Sequence, residues 1–401
     1  MARIDGLMLG TNRRPLKVRM DGMNYLVTEL HDLIRDGLVR PTVVLPGTAP
    51  NGVPVDRAID AGGRKTLVAR TDPQHAIQPL YWNLPCPPMK VLAFGDSIQW
   101  GQGLRPTEKI YRLVANELSI ANNGTEVGVM NLAGSGSLLG TAPGAINVRT
   151  RGPGGEDISG EIPDLNRTVP LQIANATSLA SDATVDIVLV NGGINDIGVR
   201  NILRYVDNSP SLRAGTAALG APLTTVLHML LGRYPNAIIV VTGYYPIVSP
   251  RSAPNNPSKL SLAVARMGGS PVTTNPPSLA RRMWIISNCA LFSNDSDGAF
   301  SSAVSAVNAT LPNPRVYFMS PRFGDDDALL APASQLWGVE WNDAAQDPIR
   351  NPRRDACKVA TKGHPVAYLL CRLASVGHPT PGGAASYASQ IFSTFFNDPL
   401  R

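Results

Sequence analysis

Five short apolar segments between residues 90 and 321 constrain the fold of this chain more than any other feature. They are predicted strands, and segments with helical periodicity separate them. All but one are nearly continuous apolar runs, as expected for strands that helices cover on both faces. The strand candidates are 90–97, 126–134, 185–193, 237–245 and 315–321. This alternation predicts an α/β fold, a three-layer α/β/α sandwich with right-handed crossovers around a parallel sheet.

A different pattern precedes this region. Residues 15–85 alternate apolar and polar positions in short runs, separated by Asp-Gly, Asn-Gly and Gly-Gly turn signals. Such runs are typical of short antiparallel strands. We therefore predict a small β-rich accessory domain over residues 1–85 and a larger domain over residues 86–401. The proline-rich segment 85–88 marks the break between them.

The larger domain contains one connection that is too long for an ordinary crossover. Residues 246–314 lie between the fourth and fifth strand candidates and include stretches rich in Pro, Asn and Ser. We predict an insertion here with two apolar helices, over 278–292 and 297–309. Lids and substrate pockets are commonly built from such insertions, and a surface elaboration without a function is the alternative.

Charge and hydropathy exclude several classes of function. The 36 Lys and Arg residues exceed the 30 Asp and Glu residues, which gives a net charge of +6. The basic residues are scattered and are not interleaved with aromatic residues as in a nucleic-acid groove, so we expect no nucleic-acid partner. No stretch approaches the roughly 18 apolar residues of a transmembrane segment. The N-terminal segment lacks the apolar core of a signal peptide.

The four cysteines, Cys86, Cys289, Cys357 and Cys371, show no spacing that is typical of a zinc site. We therefore expect no metal. We interpret them as reduced and mostly buried thiols, with a bridge between Cys357 and Cys371 as the alternative. Because no signal peptide is visible, we expect a cytoplasmic protein by default, with secretion as the alternative if Cys357 and Cys371 are bridged. The oligomeric state has no signature in the sequence.

Glycine and polar residues cluster where the predicted strands end, which is where an open parallel sheet binds its ligands. A serine in such a place is more often a turn residue or a helix N-cap. Together, however, these segments supply a hydroxyl nucleophile, an imidazole base and three donors for an oxyanion. The segments are Gly95-Asp96-Ser97-Ile98, Gly134-Ser135-Gly136-Ser137, Gly192-Gly193-Ile194-Asn195-Asp196 and Gly377-His378-Pro379.

These segments resemble the sequence blocks of the SGNH (GDSL-type) hydrolases over about residues 90–396. Residues 95–98 match the first block, with Ile98 in place of the commonest Leu; residues 131–136 and 193–196 are similar to the second and third. The resemblance implies a flavodoxin-like sandwich with Ser97 as the nucleophile and no metal or organic cofactor. It also implies an oxyanion hole made of the N–H groups of Ser97 and Gly136 and the amide of Asn195. Gly134 is the second choice for the glycine donor.

The last block departs from the family pattern, which usually has Asp three residues before the catalytic His. Here that position is Ser375, and His378 follows. A carbonyl can orient the imidazole in place of a carboxylate, but with less charge. We therefore predict a dyad of Ser97 and His378. The carbonyl of Ser375 or a neighbour would orient His378, and Asp355 is a remote carboxylate that folding could bring to it.

Elimination among the five histidines also favours His378 as the base. We interpret His31, His75 and His228 as structural. The serious rival is His364, which also precedes a proline. His378 is favoured because the Pro-Thr-Pro-Gly-Gly that follows it resembles the family's helix opening. The glycines at 134–140 do not indicate a dinucleotide loop, because Thr-Ala-Pro-Gly follows them and breaks a helix.

The resemblance and the residues together predict a serine esterase for carboxylic esters of short or medium acyl chains. The substrate would be a small molecule, a lipid ester or a glycan ester. One alternative is a carbohydrate O-deacetylase with the same machinery. The other is a non-catalytic binding protein on a hydrolase scaffold, because the usual Asp is missing and residues 1–85 form an extra module.

Overall fold

The structure, a computed structural model, describes most of the chain beyond residue 88 and six short strands before it. The described ranges are 89–140, 159–176, 185–268 and 279–396, without residues 122, 123, 125, 165, 166, 341, 343 and 363. The chain divides into two compact units, and the larger comprises residues 90–121 and 127–396. Each unit is described by itself.

The strands of the smaller unit pair antiparallel in two sheets of three. Strands β2 to β6 lie within residues 15–85, the range of the alternating pattern, and β1 precedes that range. The role of residues 1–85 as an accessory domain stays a prediction, and His31, His75 and Cys86 lie outside the described residues. The strands are β1 (Ile4–Met8), β2 (Pro15–Met20), β3 (Met23–Thr28), β4 (Val55–Ile59), β5 (Lys65–Ala69) and β6 (Gln78–Tyr81).

A five-stranded parallel sheet forms the centre of the larger unit, in the order β11-β10-β9-β7-β8. Its central strand β9 is entirely buried, which explains why its sequence is continuously apolar. The predicted fold class is confirmed, and each strand lies within its predicted segment except that β7 begins one residue earlier, at Met89. The strands are β7 (Met89–Phe94), β8 (Val127–Asn131), β9 (Ile187–Val190), β10 (Ile238–Thr242) and β11 (Val316–Met319).

Helices cover both faces of this sheet. They are α1 (Ser97–Trp100), α2 (Ile110–Ala121), α3 (Val169–Asn175), α4 (Ile194–Ile197), α5 (Val199–Ile202), α6 (Ser209–Ala218), α7 (Gly220–Arg233), α8 (Pro257–Arg266), α9 (Leu279–Asn308), α10 (Arg350–Ala360), α11 (Pro365–Arg372) and α12 (Pro381–Phe396). Helices α2 and α12 pack together and contact β8 and β11, whereas α7 and α9 pack together and contact β10 and β11. The chain adds β8 on one side of β7 and then adds β9, β10 and β11 on the other side. Right-handed crossovers in these two directions place the two helix pairs on opposite faces of the sheet.

The connection between β10 and β11 differs from its prediction. Helix α9 is one helix of 30 residues, where two shorter helices were expected. The polar stretch 294–298 suggested a break, but no proline interrupts it, and Phe292, Ser296 and Phe300 are buried along one side. Tertiary packing outweighs the low helix propensity of these polar residues. Because α9 packs on β11, it forms the crossover to that strand.

One helical stretch among the described residues, Ser209–Arg233, is long and apolar enough to cross a membrane by length and composition alone. It consists of α6 and α7, and both pack against α9. Leu212, Leu223 and Leu227 are fully or almost fully buried there. The stretch therefore contributes core packing to the α/β unit.

A disulfide joins Cys357 on α10 to Cys371 on α11, which are 14 residues apart. The interpretation of all four cysteines as reduced thiols is therefore wrong for this pair. The sequence left the bridge open because it forms only when α10 and α11 pack against each other as a helical hairpin. Cys289 is free and buried in α9.

Removing this bridge with Cys357→Ser and Cys371→Ser is expected to lower the free energy of unfolding by about 3 kcal/mol, because the unfolded chain loses a closed loop. Denaturant unfolding measures the change. Reductant should lower the midpoint of the wild-type protein by a similar amount and leave the double variant unchanged. An equal midpoint for wild type and variant would show that the bridge does not stabilise the fold.

Candidate active site

The candidate site lies where the order of the sheet reverses. The chain moves from β7 to β8 in one direction, and then from β9 to β11 in the other. Ser97 follows β7 and Asn195 follows β9, and these two strands are neighbours. Open α/β sheets bind ligands at such a switch point, beyond the carboxyl ends of the strands.

Ser97 is the first residue of α1, and a sharp turn places it there. Gly95 has a φ of +136°, and a Cβ at this position would lie 2.1 Å from Asn191 Oδ1. Asp96 is the N-cap and accepts a hydrogen bond of 2.9 Å from the Ile98 N–H. The N–H of the first helical residue has no partner within a helix. Among the described residues, the Ser97 N–H indeed has no acceptor.

Asp96 is held in a buried network of hydrogen bonds. The Tyr244 hydroxyl donates to its carboxylate at 2.6 Å and Asn191 Nδ2 at 3.0 Å. Burial raises the pKa of Asp96, and these hydrogen bonds only partly offset that effect. The Tyr244 oxygen also accepts from the Ile194 N–H at 3.1 Å. Tyr244 therefore ties the turn before Ser97 to the loop that carries Asn195.

The structure brings His378 to Ser97: the distance from His378 Nε2 to Ser97 Oγ is 2.7 Å. His378 lies on an antiparallel ribbon, formed by residues 335–337 and 377–380. Trp337 N–H donates to the His378 carbonyl at 2.7 Å, and Gly377 N–H donates to the Trp337 carbonyl at 2.8 Å. With Gly377 at a φ of +81°, this is a glycine bulge, a device that aims the following side chain.

The other imidazole nitrogen of His378, Nδ1, is near backbone carbonyls but forms no well-aligned hydrogen bond. Among the described residues, no group bonds Nδ1 with suitable geometry. The Ser375 carbonyl, which was the predicted acceptor, accepts the backbone N–H of His378 at 2.9 Å. Burial lowers the pKa of His378 to about 4; the carbonyls of Ser375 and Val376 act in the opposite direction but only in part.

Asp355 is not brought to His378. Its carboxylate is 60% exposed on α10 and pairs with Arg354 at 3.1 Å. The exposure of Asp355 reflects its position on the outer side of the helix, whereas the buried Arg353 points inward. The sequence alone did not show which side of α10 is buried and which is exposed.

Sequence reasoning missed a buried ion cluster, Glu161, Asp347 and Arg353, that lies behind His378. All three side chains are 0–1% exposed, and Arg353 bonds Glu161 at 3.0 Å and Asp347 at 3.1 Å. The Ser375 hydroxyl donates to the Asp347 carboxylate. Position 375 therefore reaches a carboxylate indirectly, although it does not carry one. The three charges lie far apart in the sequence, so no local pattern could reveal the cluster.

The ion cluster also contacts the segment after the nucleophile. The Glu161 carboxylate accepts hydrogen bonds of 2.9 Å from Trp100 Nε1 and from Gln102 Nε2. On its other side, Arg353 Nη2 donates to the Ser375 hydroxyl at 3.0 Å. The cluster thus connects the chain that carries Ser97 with the chain that carries His378.

The other described histidines lie elsewhere. His364 is exposed at the N-terminus of α11, where its Nδ1 accepts from the Ala367 N–H at 3.4 Å. His228 is exposed on α7. Only His378 among the described histidines bonds Ser97.

The predicted oxyanion donors follow β7, β8 and β9. Gly136 has a φ of +82°, and its N–H has no acceptor among the described residues. The N–H of Gly134, the second choice, is already donated to the Gly95 carbonyl at 3.0 Å. Asn195 Nδ2 donates to the Ser137 carbonyl at 3.0 Å, which uses one of its two protons. Asp196 fixes this loop by accepting from the Leu139 N–H at 2.9 Å.

Two further features concern ligands. A cavity of about 430 Å³ is lined by residues 253–256, 259, 330, 331, 334, 336, 338 and 346, and Ser97 and His378 are not among them. Within the described part of the chain, no three side chains of His, Cys, Asp or Glu are grouped so that they could hold a metal ion.

Comparison with known proteins gave structural likenesses only. No protein-family model matches the chain, and no curated protein matches it. An extracellular lipase from Streptomyces rimosus is 14% identical with a TM-score of 0.43, covering 76% of this chain and 99% of its own. Phospholipase A1 from Streptomyces albidoflavus is 13% identical with a TM-score of 0.42, and the match covers 77% of this chain and 99% of that protein. A family two carbohydrate esterase from Clostridium thermocellum is 13% identical with a TM-score of 0.35, and the match covers 80% of this chain and 69% of that protein. Likenesses at this level carry no argument about function.

Proposed function

We propose that this protein is a serine esterase that hydrolyses carboxylic esters through an acyl-enzyme on Ser97. The observation that carries the proposal is the 2.7 Å distance between His378 Nε2 and Ser97 Oγ at the switch point of the sheet. A nucleophile and a base within hydrogen-bond reach define nucleophilic catalysis by a hydroxyl. The free N–H groups of Ser97 and Gly136 supply donors for the oxyanion that this chemistry forms.

The reaction runs in two steps. His378 Nε2 takes the proton from Ser97 Oγ, and Oγ bonds to the ester carbonyl carbon, whose oxygen becomes the oxyanion. The bond to the alcohol then breaks, and the alcohol oxygen takes the proton from His378. In the second step His378 takes a proton from water, the water oxygen attacks the acyl group, and the carboxylic acid leaves while Ser97 regains its proton.

The burial of His378 affects the pH dependence of this reaction. The base must be neutral, and burial lowers the pKa of His378 to about 4. We therefore expect kcat/KM to stay high through pH 5–6 and to fall with a midpoint near pH 4 rather than near the usual histidine value of about 6.5. Initial rates between about pH 3 and 8 measure the profile, with fluorescence at each pH as a control for unfolding. An acid limb near pH 6.5 in the folded protein would contradict this assignment.

The preferred substrates are esters with short or medium acyl chains. The support is the apolar loop region after β10, where Tyr245 and Ile247 are buried next to the ribbon and the Tyr245 hydroxyl donates to the Gly377 carbonyl at 2.9 Å. Aryl esters from acetate to dodecanoate test the preference. A maximum at short or medium chains supports it, and activity confined to acetylated sugars would favour the O-deacetylase alternative. No hydrolysis of any ester would favour a binding protein.

The disulfide bears on where the protein works. Disulfides such as Cys357–Cys371 persist in oxidising compartments and are rare in the cytosol. We infer that the protein acts in an oxidising compartment, in place of the cytoplasmic default.

A further inference from the structure

We propose that Trp337 contacts the alcohol half of the ester and selects alcohols that carry a ring with an acceptor oxygen. This inference rests on the proposed function. It adds a substrate-contacting residue that no sequence motif identifies, and it names the chemistry of the group that leaves. The argument depends on three observations: the register of the ribbon, the burial of the indole N–H, and the side of the site on which His378 stands.

The register of the ribbon places Trp337 beside His378. Leu336 pairs with Pro379, and the next opposed residues are Trp337 and His378. Opposed residues on an antiparallel ribbon project their side chains from the same face, with Cβ atoms about 5 Å apart. Leu336 projects from the other face, where it lines the cavity described above. The indole of Trp337 therefore shares the face of the ribbon from which the imidazole reaches Ser97.

The indole N–H of Trp337 is a buried donor that has no acceptor among the described residues. Buried polar groups are nearly always paired, so an unpaired one calls for an explanation. Trp100 shows the usual arrangement in the same protein, since its Nε1 donates to Glu161 at 2.9 Å. Trp337 as a whole residue is only partly buried, and we infer that a turn of its indole brings this unpaired N–H to a group that arrives from outside the chain.

The chemistry of the reaction assigns this group to the alcohol. His378 returns its proton to the leaving alcohol oxygen, so the alcohol must lie on the imidazole side of the carbonyl. The oxyanion donors Gly136 and Asn195 follow other strands, β8 and β9. Trp337 borders the imidazole side. Its flat apolar surface and single donor match a ring that carries an oxygen, such as a sugar or another cyclic ether.

Three acetate esters test the inference because they share the acyl group. Tetrahydropyran-4-yl acetate differs from cyclohexyl acetate only by the ring oxygen, and ethyl acetate has no ring. In wild type, we expect kcat/KM for the tetrahydropyranyl ester to exceed that for the cyclohexyl ester by about 3- to 10-fold, the range of one hydrogen bond. Trp337→Phe removes the N–H and should bring this ratio close to one.

Trp284→Phe is the matched control, because Trp284 is 40% exposed on α9, and it should keep the wild-type ratio. Trp337→Leu removes the ring surface and should also lower the preference for cyclohexyl over ethyl acetate. A wild-type ratio near one, or a ratio that Trp337→Phe leaves unchanged, would overturn the inference. The ratio measured for wild type can overturn the inference even if a Trp337 variant fails to fold.

Reaction with a fluorophosphonate separates this inference from the proposed function. If wild type and Trp337→Phe are labelled at Ser97 at similar rates but show no discrimination by the ring oxygen, the inference fails and the esterase assignment stands. If wild type is not labelled, the esterase assignment itself fails.

Discussion

Replacement of Ser97 by Ala is expected to lower kcat for ester hydrolysis by about 10⁶-fold, the size of loss found when a serine hydrolase loses its nucleophile. No acyl-enzyme can form without Oγ, and His378 Nε2 loses its partner at 2.7 Å. The fold should be unaffected, because the change removes one oxygen from a side chain that is 6% exposed. Turnover of an aryl acetate, followed by absorbance, measures the effect.

The control for this variant is Ser301→Ala, a serine that is exposed on α9. It should retain full activity. His378→Ala should cost nearly as much as Ser97→Ala, and the double variant should be no worse than either, because the two residues act as one unit. Ser97 would not be the nucleophile if Ser97→Ala kept more than about one percent of the wild-type activity. That level lies far above the residual catalysis that remains when a serine hydrolase loses its nucleophile.

Arg353→Met is expected to destabilise the fold by about 3–5 kcal/mol, the cost of removing one partner from a buried ion pair. Arg353 is fully buried and pairs with both Glu161 and Asp347, each about 1% exposed. Met keeps an unbranched apolar side chain in place of the aliphatic part of Arg but leaves two carboxylates without a cation. Denaturant unfolding monitored by fluorescence measures the free energy of unfolding.

Arg354→Met provides the matched control for this prediction. The neighbouring Arg354 is 46% exposed and pairs only at the surface with Asp355. Surface pairs contribute about 0–1 kcal/mol, so this variant should unfold within about 1 kcal/mol of wild type. Equal midpoints for Arg353→Met and Arg354→Met would show that the ion cluster does not hold the segments of Ser97 and His378 together.

The central strands of the sheet were predictable because they are buried on both faces. Such strands, of which Ile187–Val190 is the clearest, are apolar in every position, and the pattern is visible in the sequence without knowledge of the partners. The approach of Ser97 to His378 was predictable only in part. The parallel sheet fixes the edge at which the segment of Ser97 lies, whereas the choice of His378 depended on the resemblance of the residues after it to a family block and on elimination among the histidines.

Features that depend on contacts between distant parts of the chain were not predictable in this way. Asp347 and Glu161 meet Arg353 only after folding, and nothing near Arg353 distinguishes it from the exposed Arg354. The placement of Trp337 depends on the register of the ribbon, which a single-residue bulge at Gly377 sets. Helix α9 continues through its polar stretch because Phe292 and Phe300 pack on either side of it.

Labelling with a fluorophosphonate, followed by peptide mass spectrometry, tests the central claim that Ser97 is an activated nucleophile. The reagent bonds covalently to a serine Oγ whose proton a neighbouring base removes. We predict one phosphonate adduct on the peptide that contains Ser97, absent in Ser97→Ala and much slower to form in His378→Ala. A folded wild-type protein that remains unlabelled, or that is labelled at another serine, would contradict the assignment.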